Sequence, residues 1–504
     1  MSGSSYDVGM SNKRAVWWVK RDARLRDNEA LTVACQKIAT VLPLYVFEPL
    51  LLKGPDWGPA QSYAVVEAVT KLRKNLQHHG NDLWVRSGTI LAELEALHRE
   101  YPFTDLFAHL EVGLNHTFAR DKAVATWCKQ RRITFHEFSQ NGIWRAMPKR
   151  SLWQTNFKFV LETPTLPIPK NLSSTRPARS LAIGRIPSLT TLGVSFNTDD
   201  WPEIGERAAA ETLRSFLHVR GGAYSGGISS MLTAPTACSR LSVHFAWGTL
   251  SLRQAWQASQ TRLKNLDSET AVAWRRSLPK FQSRLFWHAH FVQKLEDEVL
   301  LEYHPANKAF EGSLPVVIDD ECARRLQAWI TGTTGFPTVD AAMRYYRRYG
   351  WLNFRSRAMV TSFAVHALRI PWQTIQYELA KFMIDYVPGI NTTQVQMQTG
   401  VTGINTIRVY SPMKQMVDHD AAAIFIKTYI PELSNFSPAE IAAFQTTTLG
   451  TYPKPIIDFK TETKIMKDAL YSLKKTPIGR VAAKQVYQKH GSRKRQNIRK
   501  QSDS

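Results

Sequence analysis

Within the five residues Cys238-Ser239-Arg240-Leu241-Ser242, the chain gathers two hydroxyls and a guanidinium at what reads as a helix start. Unpaired amide donors and the helix dipole at such a start favour an anion, and the arginine adds a charge-assisted bond. A phosphate is the group this set suits. Fifteen Trp within an aromatic share of 11% are an unusual supply of π faces. Most serve core packing, which leaves a few to stack on planar ligands or relay electrons. Cys35, Cys128, Cys238 and Cys322 are scattered without any C-x-x-C, which argues for reduced thiols and against a disulfide framework, a zinc site or an iron–sulfur cluster. No metal is expected.

The net charge of +23 and a pI near 9.9 predict attraction to a polyanion, and nucleic acid is the default candidate, solubility alone being the plainer alternative. Between Lys474 and Lys500 there are ten Lys and Arg and no Asp or Glu, so the rest of the chain carries about +13. No apolar run approaches the ~18 residues of a membrane span, and residues 1–12 lack the apolar core of a signal peptide. The expectation is a soluble, monomeric, cytoplasmic protein, nuclear in a eukaryotic host.

The elements that must position these residues fall into two blocks. Short apolar strands are expected at 14–19, 39–47, 82–86, 105–109 and 133–136, with helical spacing at 62–77, 90–98 and 118–130. Strands separated by helices imply a parallel, Rossmann-like α/β domain, assigned here to residues 13–137 after a disordered start at 1–12. No G-x-G-x-x-G follows the first strand, so ordinary dinucleotide binding is not supported there. Residues 138–205, rich in Pro, Ser and Thr, read as an interdomain linker over the surface. Helical spacing then dominates: 207–217, 252–264, 281–301, 319–330, 338–349, 353–368, 372–384 and 419–430. These define an all-α domain over 206–470, followed by a basic, disordered tail at 471–504.

Lys20-Arg-Asp-Ala-Arg24-Leu-Arg-Asp27-Asn28 resembles the signature that opens photolyases and cryptochromes, although a charged loop with Asp27 or Asn28 capping a helix would look similar. Cys238-Ser-Arg-Leu-Ser242 with Trp247-Gly-Thr-Leu-Ser251 is similar to a second stretch of that family, fourteen residues after Tyr224, where family members carry an aromatic. Leu285-Phe-Trp287-His288 matches the helix between cofactor and substrate pocket. Thr334-Gly-Phe-Pro-Thr-Val-Asp340-Ala-Ala-Met-Arg344 and Gly350-Trp351-Leu-Asn-Phe354-Arg355-Ser-Arg357 reproduce a long, specific block. Asp385 to Asn391 and Thr406-Ile-Arg408-Val-Tyr-Ser-Pro412 complete a resemblance that covers residues 14 to about 433.

The resemblance implies FAD in the helical domain and a light-driven lyase that splits cyclobutane pyrimidine dimers in DNA, with a cryptochrome-type photoreceptor lacking repair as the alternative. The implied cofactor residues are Tyr224, Cys238, Ser239, Arg240, Leu241, Ser242, Arg284, His288, Trp351, Arg357, Asp385, Val387 and Asn391. Arg357 and Asp385 correspond to the pair beside the flavin ring, Asn391 to the residue facing its N5, and Trp372 to the middle Trp of the photoreduction chain. Trp287, Phe354 and Met397 would line the dimer pocket, with Arg355 and Arg408 on phosphates. Departures are as clear. The positions where one photolyase branch keeps two pocket histidines hold Phe354 and Ala358, a pocket Glu is replaced by Arg284, a second acidic residue by Val387, and the proximal Trp by Val395. A Q-V-Q-M-Q-[ST]-G segment from Gln394 marks a divergent subgroup. A second antenna chromophore of folate or deazaflavin type is allowed, with Glu111 and Asn115 near its site, but no residue set assigns one.

Overall fold

The computed structural model describes residues 13–177, 181–266 and 271–491. The start expected to be disordered, 1–12, lies outside them. Five parallel strands, β1 (Arg14–Trp18), β2 (Thr40–Phe47), β3 (Trp84–Ser87), β4 (Asp105–His109) and β5 (Thr134–Phe138), form one sheet in the order β3-β2-β1-β4-β5. The order reverses beside β1, as in doubly wound folds. Because strand side chains alternate between faces, Ala15, Trp17 and Val19 enter one apolar core while Val16 and Trp18 enter another. Helices α1 (Glu29–Lys37), α2 (Pro59–His78), α3 (Ile90–Glu100) and α4 (Asn115–Gln130) connect the strands.

The stretch expected to be linker contains one ten-residue helix, α5 (Trp153–Glu162), whose Trp153, Phe157 and Leu161 are buried at i, i+4 and i+8. The remainder runs along the sheet edge, taking amide bonds from Val41 to Thr175 O (2.8 Å) and from Val85 to Ile183 O (2.7 Å). It is padding for the α/β domain rather than a loose tether.

The second domain is all helical. It comprises α6 (Glu206–Ser215), α7 (Ser242–Ala246), α8 (Leu252–Lys264), α9 (Ala271–Asp297), α10 (Asp320–Thr331), α11 (Pro337–Tyr349), α12 (Phe354–Ser362), α13 (Trp372–Phe382), α14 (Pro388–Thr399), α15 (Pro412–His419), α16 (Ile424–Tyr429), α17 (Phe459–Lys475) and α18 (Pro477–His490). The helix expected at 419–430 is only α16, Ile424–Tyr429, because α15 ends at His419 and Ala423, at the start of α16, takes a left-handed conformation (φ 53°). The disordered tail expected from 471 is a correction too. Residues up to His490 are helical, because Gly479, Ala482, Val486 and His490 bury one side of α18 and Thr476 caps its start. Lys489 and His490 also bind Glu298, at 2.8 and 2.9 Å. Charge count alone concealed that stripe. Residues 492–504 of the tail lie outside the described residues. No helix among the described residues is long and apolar enough to cross a membrane.

The charged loop after β1 joins the domains. Asn28 caps α1 by accepting from the Leu31 amide (3.0 Å). Arg24 donates to Gly248 O at 2.9 Å, Asp27 accepts from Ser251 and Arg253, and Arg21 donates to Tyr386 O at 2.9 Å while lying over Trp247. Gly248 sits at φ +67°, where a Cβ would come 2.0 Å from Arg21 O; only glycine permits this approach.

Candidate functional site

A cavity of about 240 Å³ opens among α7, α9, α12, α13 and α14. On its wall lie Cys238, Ser242, His288, Trp351, Phe354, Arg357, Asp385, Val387 and Asn391, nine of the residues singled out in the sequence although they span more than 150 positions.

Arg357 projects from the first turn of α12 and donates from one Nη to both Asp385 oxygens, at 2.7 and 2.8 Å. Its Nε donates to Leu352 O (2.8 Å), and its guanidinium carbon lies 5.6 Å from the Tyr346 ring centroid. Burial opposes its charge, but the Asp385 carboxylate outweighs this and pushes the Arg357 pKa up. The site therefore holds a fixed cation whose positive charge is shared with one carboxylate. Asn391, on α14, donates Nδ2 to Gln376 O (2.8 Å). That bond fixes the amide and leaves its oxygen as the free end. Asn391 thus stands on a helix. His288 has no hydrogen-bond partner on either ring nitrogen, and burial lowers its pKa to about 4, so the ring is neutral at physiological pH. Cys238 lines the same wall with its thiol pushed up to about 11 by burial.

The Cys238–Ser242 loop needs one adjustment. The helix that follows, α7, has only five residues, so its dipole is weak and the expected helix-start site is not a strong one. Arg240 is held left-handed (φ 60°), at a cost of order 1 kcal/mol for a non-glycine residue, and its guanidinium stacks 3.9 Å from the Trp351 centroid. Leu241 is core, and the Ser239 carbonyl is bound by Arg220. Ser251, in the second stretch, caps α8 and binds Asp27, a structural task.

Other expected residues lie off the cavity wall. Tyr224 packs edge-on to Phe216 and Phe281. Trp372 is buried in the helical core, and Met397 is half-buried elsewhere on α14. Trp287 stacks on Phe291 at 5.5 Å, outside the lining. Phe354 is 52% exposed at the mouth, with the Arg284 guanidinium 5.8 Å above its ring. Arg355 and Arg408 meet in an adjoining groove with Lys414, Lys467, Tyr410 and Tyr471.

Sequence reasoning missed Asn353, Thr361, Gln394 and Gln398 on the wall. Asn391, Gln394, Val395 and Gln398 follow i, i+3, i+4, i+7 spacing, a helix face, but a largely polar one that an apolar search passes over. The sides of His288, Asn353 and Gln394 all keep a buried polar atom without a partner, while Trp351, Leu379, Met383 and Ile390 give apolar walls. Buried polar groups are normally satisfied. Unpaired donors and acceptors around an apolar cavity beside a fixed cation fit a flat, polar-edged group such as a flavin.

At the strand ends of the α/β domain, the crevice is only about 40 Å³. Arg120 fills it, bound to Glu48 (2.9 Å), Glu111 (2.7 Å) and Asp121 (2.8 Å), with Lys20 on Asp121. Asn115 gives its amide to Glu302 across the domain seam (2.7 Å). Neither residue assigns a second chromophore. Among the described residues no three His, Cys, Asp or Glu side chains gather as a metal site.

Residues 15–150 match the family described as DNA photolyase, and residues 281–472 match the FAD binding domain of DNA photolyase. The deoxyribodipyrimidine photo-lyase of Escherichia coli K12 is 28% identical over 485 residues, covering 90% of this chain and 97% of that protein. The cryptochrome DASH of Gloeobacter violaceus is 26% identical over 525 residues, covering 92% and 96%. A bacterial class III photolyase from Agrobacterium tumefaciens superposes with a TM-score of 0.79 at 23% identity, over 94% of this chain and all of that one, a likeness of fold. The chain belongs to the photolyase/cryptochrome family. Its helical part is an FAD-binding domain, and its cofactor is FAD.

Proposed function

We propose that this protein is a light-dependent DNA lyase that splits cyclobutane pyrimidine dimers. The observation that carries the reading is the meeting, at one cavity, of the Arg357–Asp385 couple, the fixed Asn391 amide and an aromatic mouth, next to a groove bearing Arg355, Arg408, Lys414 and Lys467. Reduced FAD, when bound and lit, supplies the electron that opens the two cyclobutane C–C bonds and takes it back, so the reaction has no net redox change. Arg357 would place positive charge beside the reduced ring and favour its anion, while Asp385 keeps that cation from standing unpaired. Asn391 would hold an amide at the ring edge, able to donate or accept as the protonation there changes. Leu379, Met383 and Ile390 exclude water. Phe354 would offer a π face to the extruded pyrimidine dimer, and the groove cations would hold the flanking phosphates.

The receptor alternative draws on Trp287, which is stacked on Phe291 instead of facing the cavity, and on Arg284 at the mouth in place of an acid. Incubation with oligonucleotides carrying dimers, in darkness and under blue light, separates the two. Light-dependent loss of dimers is expected; dimers that persist under light with flavin bound would favour the receptor.

A further inference from the structure

Helix α17 carries a row of cations of which the groove beside the cavity uses only a part. Lys460, Lys464, Lys467 and Lys474, with Tyr471 between the last two, recur at helical spacing and share one face of the helix. Met466 and Leu470 pack an adjacent face against Phe310, Val401 and Ile407, which holds the row in place. Lys460, Lys464, Lys467 and Tyr471 are exposed, and Lys474 is tied to Asn405 O at 2.9 Å. Glu462, the acid of the first turn, lies off this face and is bound by Arg325 and Arg369, at 3.3 and 2.6 Å. Among the described residues no ion pair joins Asp468 to the row. Like charges three and four residues apart cost a helix stability, so a row left without counter-charges points to an anion from outside. Lys467 and Tyr471 also line the groove with Arg355, Arg408 and Lys414. From there the row runs on, away from the groove, to Lys464 and Lys460.

We propose that this face of α17 is a track for the duplex on one side of the lesion, so that the protein grips DNA asymmetrically. The inference rests on the reading above, in which a dimer enters the cavity and its flanking phosphates lie in the groove. At 1.5 Å per residue, Lys460 to Lys474 span about 21 Å, the length of roughly six base pairs of B-DNA. A straight row of ammonium groups matches the stiff, evenly charged backbone of a duplex. A single strand is held instead by successive aromatic platforms, and this row holds one ring, Tyr471. Because the row leaves the groove in one direction, phosphates on one side of the dimer meet Lys464 and Lys460 and those on the other side do not. The lysines are flexible point charges that read no base, so the track adds affinity without sequence preference.

The test follows dark binding of the flavin-loaded protein to duplexes with one central dimer, by fluorescence anisotropy at several salt concentrations. The double variant Lys460→Gln/Lys464→Gln changes only exposed side chains. It should lower the salt slope by about 1.8, because each phosphate contact on duplex DNA is worth about 0.9, and by the same amount on undamaged duplex. For the wild type, cutting the duplex to about three base pairs on one side of the dimer should weaken binding at least fivefold. The same cut on the other side should leave binding almost unchanged, and in the double variant the two cuts should be equal. An unchanged salt slope in the double variant would overturn the track. So would equal losses from the two cuts in a wild type that prefers the dimer, or a single-stranded arm held as tightly as the duplex arm. A failure of the repair reading is distinguishable: damaged and undamaged duplexes would then bind alike, while the slope of the double variant would still report on the track.

Discussion

At the scale of single residues, charge and protonation decide what the cavity does. Asp385 is almost wholly buried, with a side chain 3% exposed, and its carboxylate is matched by Arg357. Removing one member of a buried pair strands the other charge at a cost of about 3–5 kcal/mol. Arg357→Ala should therefore lower the thermal midpoint and sharply reduce flavin retention, while Arg357→Lys should keep part of both. Flavin content measured by absorbance after gel filtration checks this, and unchanged content in Arg357→Ala would contradict it. The histidines give a second prediction. His244, His288 and His366 are each lowered to about 4 by burial. Their depressed values mean that the unfolded chain binds protons that the folded chain refuses between pH 6.5 and about 4. Stability should thus fall as pH drops through that window, by an amount of order 1 kcal/mol per pH unit for each group, and be unaffected by them above it. Thermal midpoints from pH 7.5 to 5 should decline, and His366→Gln should flatten the slope. His366 is fully buried between Ser362 and Thr399, far from solvent exchange.

At the scale of elements, the strands and most helices were legible because their residues bury a regular face. Trp17 and Trp18 bury opposite faces of β1, so that strand reads as a continuous apolar run. Helix α14 was not legible as a helix, since its inward face carries Asn391, Gln394 and Gln398 toward a ligand cavity instead of an apolar core. Helix α18 was hidden by its lysines and arginines, with only Ala482 and Val486 as buried apolar side chains. The site residues were legible from motif spacing where they form the wall. Trp287, Met397 and Tyr224 fit the same spacing yet point elsewhere, which spacing does not report. The Trp247–Gly248 turn offers an element-scale test. Gly248→Ala places a methyl against Arg21 O in a left-handed conformation, whereas Gly226 has no atom within 4 Å of a built Cβ. Gly248→Ala should cost several kcal/mol and make the domain seam protease-sensitive; Gly226→Ala should be close to neutral. Equal midpoints would refute the account of that seam.

At the scale of the whole molecule, the charge of +23 and the groove of Arg355, Arg408, Lys414 and Lys467 act together on a polyanion. Each phosphate contact on duplex DNA releases close to one counterion, so log affinity falls linearly with log salt. Lys467→Glu and Arg408→Glu should each weaken DNA binding and lower the salt slope by about one or more, as a fluorescence-anisotropy titration at several salt concentrations would show. Shortening the chain after Tyr471 should weaken binding mainly at low salt. It also removes the Glu298 contacts of α18, so Glu298→Gln separates loosened docking from lost charge. All of this presupposes that the helical domain carries a flavin against the Arg357–Asp385 couple. The most direct test is an absorption titration of the purified chain with FAD, wild type beside Arg357→Ala. A flavin spectrum that saturates at one equivalent in the wild type, with affinity weakened at least a hundredfold in the variant, is the expected result. A chain that stays colourless, or one in which the variant binds as tightly as the wild type, would contradict the account.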